Sequence, residues 1–141
     1  NFIILFAVLA LLGGSALAHQ SKDVGDGEYR VIVGLMVNPA YTGQLNGIDL
    51  MVRDAEGEPV DNLEQSLTAV VIAADGSELT LTLRAQADNP GAYTGDFIPG
   101  ISGDLHFRVS GFIGAVEFDE HFDDAGHYEP VVRDVSEVSI P

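Results

Sequence analysis

The chemistry this 141-residue chain could do rests first on four histidines: His19, His106, His121 and His127. There is no cysteine, which excludes thiol nucleophiles, disulfides and thiolate-held metals and leaves imidazole and carboxylate as metal ligands. His19 follows Ala16-Leu17-Ala18, the small-residue ending that leader peptidases cut. Cleavage there would make His19 the first residue, carrying an α-amine and an imidazole together. Those two nitrogens can chelate one metal ion, and such ligands suit Cu(II). Further ligands must come from the folded body. Asp104 with His106, two residues apart, and His121, flanked by Asp119 and Asp123, are the candidates, and His127 in the tail could approach them. The plainer alternative is that exposed histidines decorate a strand face and His19 only marks where a leader ended.

Charge narrows the classes further. Twenty-two Asp and Glu against six Lys and Arg give a net charge of −16. Phosphate affinity comes from Lys and Arg, so the usual nucleic-acid binder is ruled out, and the same charge argues against docking on an anionic membrane through a basic patch. Calcium needs a tight oxygen-rich loop. Asp23, Asp26 and Glu28, and the group Asp119, Glu120, Asp123 and Asp124, come nearest without matching one; solvated surface acids are the simpler reading. No G-x-S-x-G, Walker or Rossmann glycine pattern occurs, no pair of carboxylates is singled out, and no small-molecule substrate is implied. The expectation is a protein that is not an enzyme.

Residues 1–18 are a different material. They carry no charge, and the apolar run 2–12 is broken by Gly13-Gly14-Ser15 before the A-x-A ending. This matches a secretory signal peptide cut after Ala18, placing the body in the periplasm or outside the cell. The rival is a retained membrane anchor: the uninterrupted run falls short of the roughly 20 residues that span a bilayer, although stretching it across the glycines nearly reaches that length.

The elements that must position the histidines are strands. Tyr29, Val31, Val33, Leu35 and Val37 alternate with a mixed second face of Arg30, Ile32, Gly34, Met36 and Asn38; Ile48, Leu50 and Val52 alternate with Asp49, Met51 and Arg53. Residues 67–73 form a largely apolar run closed by Asp75-Gly76, and Leu79, Leu81 and Leu83 read as a half-buried strand. Tyr93 and Phe97 share a face in a further strand. Leu105, Phe107 and Val109 point inward, so His106, Arg108 and Ser110 point outward, and a hairpin around 111–114 leads to Val116, Phe118 and Phe122. By the same alternation His121, Asp119 and Asp123 share one outward face. About seven strands with a turn signal every 8–12 residues is the pattern of an all-β, antiparallel β-sandwich. A short helix or 3₁₀ turn is allowed only at 61–66. The division is a signal segment at 1–18, an acidic, polar arm at 19–27, the sandwich at 28–124 and an acidic tail at 125–141, expected to drape along a sheet edge and end in a short strand at 135–140, or else to be loosely ordered.

Three phrases, GEPVDNLEQSL (57–67), NPGAYTGDFIPGISGDLHFRVSG (89–111) and EFDEHF (117–122), resemble exported bacterial sandwich domains of the YtkA-like type, relatives in style of the CopC copper-resistance proteins. The resemblance spans about 29–124 and implies an immunoglobulin-like fold, export, no catalysis, and association with copper handling or with membrane-bound transport proteins. CopC-type proteins hold Cu(II) through the mature N-terminal His and a later Asp-x-His. His19 matches the first element and Asp104-Leu105-His106 the second in letters. The placement departs from the family, because Asp104-Leu105-His106 opens the penultimate strand instead of lying in the last hairpin. The methionine-rich Cu(I) segment of some relatives is absent; Met36 and Met51 lie far apart in sequence. The leading expectation is thus a copper-binding accessory module of the cell envelope. The rivals are a metal-free interaction or structural domain that contacts an envelope protein, and, more weakly, a copper oxygenase with a histidine brace.

Overall fold

The computed structural model describes residues 19–123 and 131–141, so the expected leader at 1–18 and His127 lie outside the described residues. The chain runs β1 (His19–Val24), β2 (Tyr29–Leu35), β3 (Ala40–Tyr41), β4 (Asn46–Asp54), β5 (Leu67–Ile72), β6 (Glu78–Leu81), β7 (Arg84–Ala85), β8 (Ala92–Thr94), β9 (Asp96–Phe97), β10 (Gly103–Asp104), β11 (His106–Ile113), β12 (Val116–Phe122) and β13 (Val131–Arg133). One sheet has the order β1-β2-β4-β8-β7, with β9 also pairing β4; the other has the order β12-β11-β5-β6. No α-helix occurs among the described residues.

The alternation seen in the sequence explains which face each sheet buries. Val31, Val33, Ile48, Leu50, Val52 and Tyr93 from the first sheet meet Ala69, Val71, Phe107, Val109, Phe118 and Phe122 from the second in one core. Phe97 and Phe107 pack edge to face, with ring centroids 6.0 Å apart. Gly111 is required where β11 passes the turn before β5. Its φ is +132°, and a Cβ there would lie 2.1 Å from the Ser66 carbonyl oxygen.

Three segments differ from expectation. Residues 19–24, read as part of a polar arm, form an edge strand: Gln20, Lys22 and Val24 pair with the inward residues Val33 and Val31 and with Tyr29. The strand at Leu79, Leu81 and Leu83 is shorter, ending at Leu81, and Leu79 is 52% exposed because it faces inward from the open edge of its sheet. In the tail, the strand lies at Val131–Arg133, and 135–137 is a 3₁₀ turn capped by the Asp134 side chain. That strand bridges β10 and β3 in a small third sheet. Asp134 carries the cap because its carboxylate accepts from Ser136 N at 2.8 Å. Residues 61–66 contain turns and no described helix.

Candidate functional site

His19 is the first residue of β1 and pairs with Gly34 of β2, which pairs in turn with Asp49 of β4. Val33 and Leu35, on either side of Gly34, are buried in the core, so His19, Gly34 and Asp49 form a row on the outer face of the first sheet. Glycine contributes no side chain to that row. The imidazole spans it, and Nε2 donates to Asp49 Oδ2 at 2.8 Å. The other carboxylate oxygen, Oδ1, accepts from Gln86 Nε2 at 2.7 Å. The same amide nitrogen donates to the Tyr93 carbonyl at 3.0 Å, and Gln86 Oε1 accepts from Asn89 Nδ2 at 3.3 Å. The His19 side chain is 29% exposed and that of Asp49 20%, so the pair is sheltered yet open to solvent.

The other predicted residues sit elsewhere. His121 lies opposite Arg108 on the β11–β12 ladder, and His106 lies opposite Ile72 of β5. Both face outward from the second sheet, as the alternation of Phe107 and Val109 requires. The core therefore separates them from His19. Asp104 belongs to β10, where it pairs with Val131 in the small sheet. His106 Nε2 is buried without a hydrogen-bond partner among the described residues.

Arg108 claims Asp119, two residues before His121. Its Nε donates to Asp119 Oδ1 at 2.8 Å, and its Nη2 bonds to Asp119 Oδ2. The bidentate pairing holds the Asp119 carboxyl below the usual range and raises the guanidinium. That face is organised around an ion pair. Among the described residues no group of three or more His, Asp or Glu is placed to hold a metal ion. This includes a cleft of about 350 Å³ beside Gln86, although Asp61, Glu64 and Asp88 line it. What the first sheet offers instead is the His19–Asp49 pair, backed by Gln86.

Sequence reasoning missed Asp49 and Gln86. Asp49 was legible as an outward residue of β4, but no spacing rule links position 19 to 49. The link exists only once β1 and β4 are both registered on Gly34.

No family model matches the chain, and no curated protein matches it. Among solved structures it is similar to a DUF4426 family protein from Pseudomonas aeruginosa, at 15% identity and a TM-score of 0.57, covering 74% of this chain and 91% of that one. Lower scores relate it to the Lin-41 filamin domain (17% identity, TM-score 0.42, 72% and 91% covered) and to a DUF4785 family protein from Legionella pneumophila (12%, 0.48, 74% and 29%). Likeness at these identities concerns the fold alone. Two sheets packed on one core make the fold a β-sandwich, consistent with the immunoglobulin-like expectation.

Proposed function

We propose that the chain is an exported, non-enzymatic sandwich domain of the YtkA-like or CopC-like kind, which binds Cu(II) in the periplasm or outside the cell. In this reading the leader is removed after Ala18, and the α-amine of His19 joins the imidazole of the same residue as the first two copper ligands. The observation that carries it is the position of His19, which opens the edge strand β1 with its ring part-exposed on the outer face of the sheet. An amine created there would stand beside its own imidazole on a rigid element, as a small chelating site requires. The pair fits copper by donor type, since nitrogen ligands with a nearby carboxylate suit Cu(II). Bound copper would supply the affinity for a metal donor or acceptor in the envelope. The partner class consistent with this is a membrane or envelope protein of copper handling.

The reading is tested by titrating the exported protein with Cu(II) against a competing chelator. The same titration is repeated after one alanine is inserted between Ala18 and His19, with each N-terminus fixed by intact mass. Tight binding that is lost on insertion supports it. An exported product that starts elsewhere than His19, or binding indifferent to the insertion, ends it.

A metal-free interaction module is the second reading, favoured by one feature. Leu79 and Ile98, 52% and 61% exposed, border a groove of about 140 Å³ at the open edge of β6, and an extended partner segment could add there. Failure of the copper titration in both forms of the protein would leave this reading standing. A copper oxygenase would need a second histidine facing His19, and His106 and His121 lie on the far sheet.

A further inference from the structure

We infer that Asp49 and Gln86 are positioning residues that hold His19 as its Nε2–H tautomer, which keeps Nδ1 as the nitrogen with the lone pair. The inference deepens the copper reading and rests on it for its consequence, but the tautomer is a property of the metal-free protein.

The chemistry follows from the acceptor. An ionised carboxylate accepts and never donates, so the 2.8 Å bond from His19 Nε2 to Asp49 Oδ2 puts the proton on Nε2. A neutral imidazole has one N–H, and Nδ1 is then bare. Nδ1 is also the ring nitrogen nearer the backbone, the one that closes a six-membered chelate ring with the amine of the same residue. Ligating histidines commonly give their other N–H to a carboxylate, which fixes the ring and raises its basicity.

The support for Asp49 is itself built. Its second oxygen is held by Gln86 Nε2 at 2.7 Å, that nitrogen is held by the Tyr93 carbonyl, and the Gln86 oxygen is held by Asn89. Asp49 therefore accepts from both sides, one donor on each oxygen. Gly34 keeps the space between the two strands clear, since any side chain there would project into the row from between its ends. A surface ion pair between two long side chains would show no such backing.

Asparagine at position 49 has the same shape but only one acceptor. It can satisfy His19 or Gln86 as an acceptor, not both, and turning its amide toward the ring would invert the tautomer. Asp49→Asn is thus the informative variant, and Gln86→Leu is the second, removing the backing while leaving the pair in place. The experiment is a long-range ¹H–¹⁵N spectrum of the metal-free exported protein, labelled on histidine, at a pH where the ring is neutral. It is paired with Cu(II) competition titrations at the same pH. The parent protein is expected to show His19 as the Nε2–H form. Asp49→Asn is expected to show a mixture or the inverse form, with Cu(II) affinity weakened about 10- to 100-fold, and Gln86→Leu a smaller change in the same direction. Ser21→Ala, on the same face of β1 but outside this chain of bonds, should leave both readouts as they are.

An Asp49→Asn protein that keeps the parent tautomer overturns the inference, and so does one whose Cu(II) affinity stays within twofold while insertion before His19 abolishes binding. If insertion leaves binding unchanged, the copper reading fails instead, and the metal-free spectra alone decide the positioning role.

Discussion

Lys22 of β1 and Phe122 of β12 meet across the open side of the sandwich, with the ammonium 5.6 Å from the ring centroid. The same nitrogen bonds to the His121 carbonyl and lies 3.7 Å from Glu120 Oε2. An inward-facing lysine on an edge strand thus latches the first sheet to the second without entering the core. The aliphatic stem covers apolar surface while the charged end stays part-exposed.

Lys22→Ala is therefore expected to lower stability by about 1–2 kcal/mol, adding a part-exposed ion pair to a cation–π contact. Urea unfolding of both proteins measures it. The difference should shrink in high salt, because the ion-pair share is screened. A difference below experimental error would show that the latch contributes nothing.

Tyr93 gives a second prediction. Its hydroxyl donates to the Val60 carbonyl at 2.6 Å and accepts from Leu63 N at 3.2 Å, while the ring lies in the core. Tyr93→Phe leaves both backbone groups without that partner and should cost about 1–3 kcal/mol by thermal unfolding.

The same tyrosine sets an alkaline limit. Burial pushes the phenol up, the Leu63 N–H offsets part of that rise, and the charges of Asp61 and Glu64 add lesser increments to it. Because the folded value is raised above the unfolded one, the stability linked to it is fully present below about pH 10. It falls away as pH climbs from there through the raised value. Parent protein should lose stability over that window more steeply than Tyr93→Phe; parallel curves would contradict the assignment.

At the acid end, the Arg108 side chain lowers the Asp119 carboxyl. By NMR titration Asp119 should ionise below the ordinary carboxylate range, and Arg108→Ala should return it upward. The sign fixes the window: the linked stability is present above the ordinary carboxylate value and is lost as pH falls toward the lowered one. Both groups are exposed, so the titration curve and not the unfolding midpoint is the sensitive readout.

Much of the fold was legible because its central strands carry a two-residue rhythm with large apolar groups inward. Val31, Val33, Leu50, Val52, Phe107 and Val109 are all buried as that rhythm requires. β1 escaped it because an edge strand can face polar residues inward: Gln20 and Lys22 occupy positions where a central strand would carry valine. β13 escaped because three residues are too few for any rhythm, and its parallel pairing with β3 is a long-range event. At the site, His19 could be picked out from its sequence context, and the outward faces of His106 and His121 from alternation. Asp49 could not, since its relation to His19 is made by the register of three strands and by the glycine between them.

The nitrogen donors at the head of β1 are read by the electron paramagnetic resonance spectrum of the exported protein with one equivalent of Cu(II), recorded with natural and ¹⁵N-labelled histidine, before and after insertion of alanine ahead of His19. Nitrogen couplings from the His19 amine and imidazole are expected to respond to the label and to be lost or altered on insertion. A spectrum unchanged by the insertion would rule out copper binding at the His19 amine.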